Sequence, residues 1–214
     1  MPQFDACLYD LDGTLIDSIG LIFASYRHTL MEHRGTAPSD TVWLQGLGTP
    51  LREQLRPFVQ EEDDLEDMVA TYRDFNFAHH DAMIRPFPET RTTVEHLKSR
   101  GVKLGIVTSK MRYGLQRGLW VCGLDDLFTV RVAADDVEKH KPDPAPVLFA
   151  LEQLDVDPHR TLFIGDSPHD VAAGNAAGVA TAAALWGPFP RPTLEKAGPD
   201  HWLESPADVA RLAR

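Results

Sequence analysis

Four short apolar runs, at 5–10, 103–108, 161–165 and 181–185, constrain this chain most. Each is too short for a helix and lacks the polar alternation of a half-solvated strand. They predict parallel strands buried on both faces. A fifth, weaker run covers 128–133. Helical patterns fall between them. Val147, Leu148, Leu151 and Leu154 form one stripe, with Pro144 suited to the first turn. Val94 and Leu97 mark another helix, stopped by Gly101. Strand and helix alternating over 84–214 predict an α/β chain with a doubly wound, Rossmann-like parallel sheet.

The interval between the first two runs breaks this rhythm. At 17–83 it is longer than the roughly 30–40 residues of one strand–helix–strand unit, and it carries no convincing strand. Ile19, Ile22, Phe23, Tyr26 and Leu30 have helical spacing, with Asp17 or Ser18 as the cap. Further helices fit 49–59 and 63–79. The organisation expected is a catalytic core over 1–16 and 84–214. A helical cap domain, 17–83, is inserted after the first strand and leaves through the linker-like RPFPE.

With 214 residues, 43% of them hydrophobic, the chain has enough for one full core with a small satellite. There are 21 basic side chains against 32 acidic ones, a net charge of −11. That balance argues against nucleic acid and anionic membranes as partners. An anionic ligand would need a cation to help it bind. Cys7 and Cys122 lack metal-ligand spacing and read as two reduced thiols of a cytoplasmic protein. The start, MPQFDACLYD, shows no signal-peptide pattern, and no run has the length of a membrane span. A monomer or a homodimer is expected.

In open α/β sheets, ligands bind beyond the carboxyl ends of the strands. The first strand ends in Asp10 and Asp12, the second in Thr108 and Ser109, the third long run in Asp166 with Asp170 following. Lys141 stands in a loop after the weak strand. Carboxylates this close would repel by about 4 kcal/mol per pair at an effective dielectric of 20. A hard divalent cation removes that cost, and an all-oxygen set suits Mg2+. The metal then attracts a phosphate, whose other oxygens can meet Thr108, backbone N–H groups and Lys141. Asp10 can attack phosphorus while Asp12, two residues on, handles protons. Gly13 permits the bend after the strand, and Thr14 can tie that bend with its hydroxyl.

DLDGTL, VTSK, KPDP and GDSPHD, in that order, resemble the four motifs of the haloacid dehalogenase-like hydrolases. The resemblance covers essentially the whole chain and implies a Mg2+-dependent phosphohydrolase. It implies Asp10 as nucleophile and metal ligand, and Asp12 as acid–base that lends its carbonyl to the metal. Thr108 and Lys141 bind phosphate, while Asp166 and Asp170 complete the metal site. The carboxylate at Asp12 selects the phosphatase and phosphomutase branch over dehalogenases and ion pumps. Within it, the chain is similar to phosphoglycolate phosphatases. Through SYRHTL, MVATYRDFN with HHD, LGIVTSKMR and ADDVEKHKPDPAPVL it is more similar to a bacterial inorganic pyrophosphatase branch. The substrate expected is a small phosphorylated molecule, pyrophosphate first, then phosphoglycolate or another small phosphomonoester. A sugar phosphomutase or a non-catalytic phosphate sensor are the other readings.

In the cap stretch QGLGTPLRE, Gly46 and Gly48 let the loop approach a ligand closely, and Gly46, Thr49 and Arg52 are offered as substrate contacts, against the blander reading of a plain turn. Ser109 can bind phosphate or cap the next helix. His79 and His80 read as cap-surface residues, since adjacent helical positions do not share a face. Asp135 and Asp136 read as a solvated loop, and the four tryptophans as packing residues.

Overall fold

The computed structural model describes residues 4–61 and 64–212. In chain order the elements begin β1 (Ala6–Tyr9), β2 (Ile16–Asp17), α1 (Ile19–Arg34), α2 (Asp40–Gly46), α3 (Leu51–Leu55), α4 (Asp64–Met83) and β3 (Arg85–Pro86). They continue α5 (Thr90–Ser99), β4 (Lys103–Val107), α6 (Arg112–Val121), β5 (Val130–Val132), α7 (Ala145–Leu154) and β6 (Thr161–Gly165). Last come α8 (Pro168–Ala177), β7 (Ala180–Ala184), α9 (Arg191–Glu195), β8 (His201–Leu203) and α10 (Val209–Leu212).

Six strands form one parallel sheet in the order β5–β4–β1–β6–β7–β8. The order reverses at β1, which lies between β4 and β6. Side chains on a strand alternate in direction, so β1 feeds two cores. Cys7 and Tyr9 join Val94, Leu97, Leu115 and Leu119 of α5 and α6 on one face. Ala6 and Leu8 join Val147, Leu151 and Ala173 of α7 and α8 on the other. All four β1 residues are buried, which is why the strand reads as an unbroken apolar run. Leu148, assigned to the α7 stripe from its spacing, is 46% exposed; Val147, Ala150, Leu151 and Leu154 form the inner face instead.

Helices α1 to α4 lie between β2 and β3, whose short antiparallel pair brings the entry and exit of this segment together. That pair was not expected, because two residues are too few for a sequence pattern. Tyr26 and Leu30 of α1 pack with Trp43, Leu55, Met68, Val69 and Tyr72 in a core of their own, which Phe189 and Leu194 also join. The Tyr26 and Trp43 rings stack with centroids 4.3 Å apart. The helix expected over 63–79 runs Asp64–Met83, and Asp63 lies outside the described residues. The one expected over 49–59 is shorter, Leu51–Leu55, followed by a single tight turn. Among the described residues, no helix is long and apolar enough to cross a membrane.

Two expectations about packing need correction. His80 is not a surface residue: it is 1% exposed. Leu65, Met68, Val69, Tyr72, Asn76 and His80 recur at helical spacing and make the inner face of α4. His79 does stay outside, stacked on Phe75. Trp120 packs little, at 70% exposed, whereas Trp43 is buried.

Candidate active site

The site forms where the carboxyl ends of β1, β4 and β6 meet the loop before α3. A cavity of about 410 Å³ lies there, with Asp10, Asp12, Thr108 and Asp166 in its wall on the sheet side. Leu47 to Arg52 and the inner face of α4 line the opposite side.

Asp10 follows β1 directly and its N–H donates to Ile164 at 2.9 Å, which fixes it to the end of β6. It is 6% exposed. The Lys141 ammonium donates to Asp10 Oδ1 at 2.8 Å, to an oxygen of Asp170, and to the Val107 carbonyl at 3.2 Å. Lys141 itself is 2% exposed, so its charge is wholly committed here. Asp170 opens α8, where its second oxygen accepts from the Ser167 N–H and hydroxyl in a reciprocal cap. Asp166 follows β6 directly and accepts the Thr14 hydroxyl at 2.7 Å. Thr14 therefore does not tie its own bend; it reaches 152 residues away to orient Asp166.

Asp10, Asp166 and Asp170 each offer an oxygen within 4.8 Å of the others. One buried ammonium serves three buried carboxylates, leaving the cluster two positive charges short when all are ionised. Burial, with the neighbouring charges of Asp170 and Asp12 adding to it against the pull of Lys141, pushes Asp10 up to about 7. Burial and the same kind of crowding raise Asp166 well above the carboxylate range. The charge deficit and the all-oxygen donor set fit a hard divalent cation such as Mg2+. Gly13 makes room for the Asp166 carboxylate. Its φ is +88°, and a Cβ there would stand 2.6 Å from Asp166 Oδ2.

Asp12 is absent from that cluster. Its carboxylate turns the other way, accepting Lys110 Nζ at 2.8 and 3.0 Å and the Ser18 hydroxyl at 2.6 Å. Burial opposes its charge, but Lys110 and Ser18 outweigh burial and hold the carboxyl below its ordinary value. Ser18 precedes α1 without capping it by its side chain, because its hydroxyl is spent on Asp12. Lys110 was missed in the sequence although it stands in the quoted VTSK. The available signal was its position, two residues after Thr108 at a strand end that already carried chemistry.

Thr108 lines the cavity, and its hydroxyl accepts the Lys110 N–H at 3.2 Å. Ser109 lines the cavity too and does not cap the next helix: its hydroxyl donates to the Gly48 carbonyl at 2.6 Å, holding the loop before α3 onto the core. Of the two glycines expected to allow a close approach, Gly48 is the one that does. It has φ +99°, and a Cβ would lie 3.0 Å from Ser167 Oγ. Gly46 packs against Gln54 instead. Thr49 lines the cavity with its hydroxyl turned back to the Gly46 carbonyl at 2.8 Å. Arg52 also lines it, but its guanidinium is paired with both oxygens of Glu66. Asp135 and Asp136 are not simply solvated; they bind Arg112 at the start of α6.

A pH dependence follows from Asp10. Its folded value, about 7, lies above the 3.8 of an ordinary aspartate. Without metal, the folded state binds the extra proton, so stability is lost as pH rises from about 4 through 7. A divalent cation needs the deprotonated carboxylates and cancels that loss. Saturating Mg2+ should therefore raise the melting temperature several degrees more at pH 8 than at pH 6. Differential scanning fluorimetry at the two pH values measures it; an equal shift at both would contradict the cluster as the metal site.

Residues 7–184 match the haloacid dehalogenase-like hydrolase family. Pyrophosphatase PpaX of Anoxybacillus flavithermus is 40% identical over 210 residues, covering 98% of this chain and 97% of the relative. Pyrophosphatase PpaX of Bacillus cereus is 38% identical over 207 residues, covering 97% and 95%. A crystal structure of a predicted phosphoglycolate phosphatase from Haemophilus somnus superposes with a TM-score of 0.89. It is 25% identical and matched over 100% of both chains.

Proposed function

This chain belongs to the haloacid dehalogenase-like hydrolases, and from that premise we propose that it hydrolyses inorganic pyrophosphate through a phosphorylated Asp10. The observation that carries the reading is Asp10 itself. It is a nearly buried carboxylate on the cavity wall, with one oxygen held by Lys141, among acids suited to a divalent cation. Asp10, Asp166 and Asp170 would hold Mg2+, to which Asp12 would lend its carbonyl. The bound metal supplies positive charge for the carboxylates and the phosphoryl oxygens.

Asp10 attacks phosphorus, and the bond from phosphorus to the leaving oxygen breaks as the acyl phosphate forms. Thr108 and Lys141 hold the transferred group. Asp12 then takes a proton from the water that attacks the acyl phosphate, which releases phosphate and restores Asp10. Gly13, Thr14 and Ser109 shape the floor around the phosphoryl group, while Thr49 and Arg52 line the far side. The helical segment 17–83 acts as the cap, opening for substrate and closing to exclude water.

Two things favour pyrophosphate over an ester. The PpaX relatives are named pyrophosphatases. Lys110 and Ser18 also keep Asp12 ionised. Phosphate leaves an anhydride as a stabilised anion with little need of a proton, whereas an alkoxide needs an acid. An ionised Asp12 is thus better matched to the anhydride. The two free buried thiols fit a reducing cytoplasm. Phosphate release with Mg2+ from pyrophosphate and from phosphoglycolate, on one preparation, tests the reading. A tenfold or greater advantage in kcat/KM for pyrophosphate is expected; an advantage for phosphoglycolate would assign the chain to the ester phosphatases.

A further inference from the structure

The sheet side of the cavity is anionic, so the other side must help to hold an anionic substrate. The polar side chains that the inserted helices present there are nearly all committed elsewhere. Gln54 donates to the Thr49 carbonyl and accepts the Tyr26 hydroxyl. Asn76 donates to the Ser25 hydroxyl at 3.1 Å. Arg52 is locked in its fork to Glu66.

Arg73 is different. It lies on α4 beside Tyr72 and Asn76, on the flank of the inner face, and it lines the cavity half-buried. Among the described residues it makes no hydrogen bond or ion pair, only a longer-range attraction to the Glu66 that Arg52 already occupies. An uncommitted guanidinium on a residue that lines the cavity is a fork of donors with nothing to receive them, and it matches a phosphate or carboxylate.

We propose that Arg73 receives the second anionic group of the substrate. The site then selects compounds that carry a phosphoryl group and another acidic group, a diphosphate foremost. This rests on the phosphohydrolase reading above and adds the residue that sets its specificity. The cap side reads the anion that leaves, while Asp10 and its neighbours act on the phosphoryl group that stays. MVATYRDFN includes this arginine, but only the placement of α4 separates it from the equally charged Arg52.

The test is binding, read by calorimetry on the Mg2+-loaded protein. Methylenediphosphonate carries both groups and cannot be hydrolysed; methylphosphonate lacks the second. The ratio of their dissociation constants measures recognition of the second group alone. Arg73→Gln should reduce the preference for the diphosphonate about tenfold or more, the range of a lost charge-assisted hydrogen bond. Arg73→Lys should restore part of it, keeping the charge without the fork. The lysine variant also serves if the glutamine variant fails to fold, a preference severalfold below wild type then supporting the inference. An unchanged preference in either variant overturns it, as does a collapse on Arg52→Gln alone or the lack of any preference in the wild type. Turnover separates the two readings. If the preference depends on Arg73 but pyrophosphate is not hydrolysed, the inference stands and the pyrophosphatase reading falls. If pyrophosphate is hydrolysed and Arg73→Gln keeps the preference, the reverse holds.

Discussion

Asp10→Asn is expected to lower kcat on pyrophosphate by about 10⁴-fold or more, the scale on which removing a nucleophile acts. The amide oxygen can still accept from Lys141, whose ammonium lies 2.8 Å from Asp10 Oδ1. The fold and the other groups of the cavity therefore remain. What disappears is the carboxylate oxygen proposed to form the bond to phosphorus. Steady-state kinetics beside a thermal melt checks this. A melt within a few degrees of wild type with activity at the blank level is the expected pair of results. Activity within tenfold of wild type would mean that water attacks phosphorus directly and that Asp10 only holds metal.

Lys141→Met is expected to produce the largest loss of stability. Lys141 is the ammonium shared by Asp10 and Asp170, and its Nζ stands over the Phe163 ring, 5.8 Å from the centroid. Methionine fills similar space but leaves buried carboxylates without their cation. Breaking a buried pair in this way costs about 3–5 kcal/mol. For a chain of this size that is roughly 10 °C in melting temperature. Sign and pH separate this from a packing defect. Lys141 favours the ionised form of Asp10, so its loss drives that carboxyl still further up. The cost should be larger at pH 8 than at pH 5, where a protonated Asp10 no longer needs a cation. A packing defect would cost the same at both. Measuring both melting temperatures without metal decides between them.

The sheet was legible because its central strands are buried on both faces and therefore show as apolar runs. The strand β8, with the sequence HWL, was not legible, since three residues at a sheet edge carry no pattern. Helix α2, seven residues long with only Trp43 buried, hid for the same reason. The acids of the site were legible because topology places strand ends together, so adjacency in space follows from position in the chain. What topology does not give is where each side chain turns. Asp10 and Asp12, two residues apart, face different ammonium groups, Lys141 and Lys110. Lys110 meets Asp12 across 98 residues, and its neighbours Thr108 and Ser109 drew the assignment instead. His80 illustrates the converse. Adjacent helical residues do point apart, but what places His80 inside is its position four residues after Asn76 and eight after Tyr72, on the inner face of α4.

The measurement that most directly tests the central claim is trapping of the phosphorylated enzyme. Protein with Mg2+ and labelled pyrophosphate is quenched in acid within one turnover, and the peptides are then mapped. Labelling confined to the peptide that contains Asp10, stable to acid and released by hydroxylamine as an acyl phosphate is, is the result predicted. The Asp10→Asn protein should carry none. Label on another residue, or full turnover with no label while phosphate accumulates at the same rate, would contradict an Asp10 nucleophile.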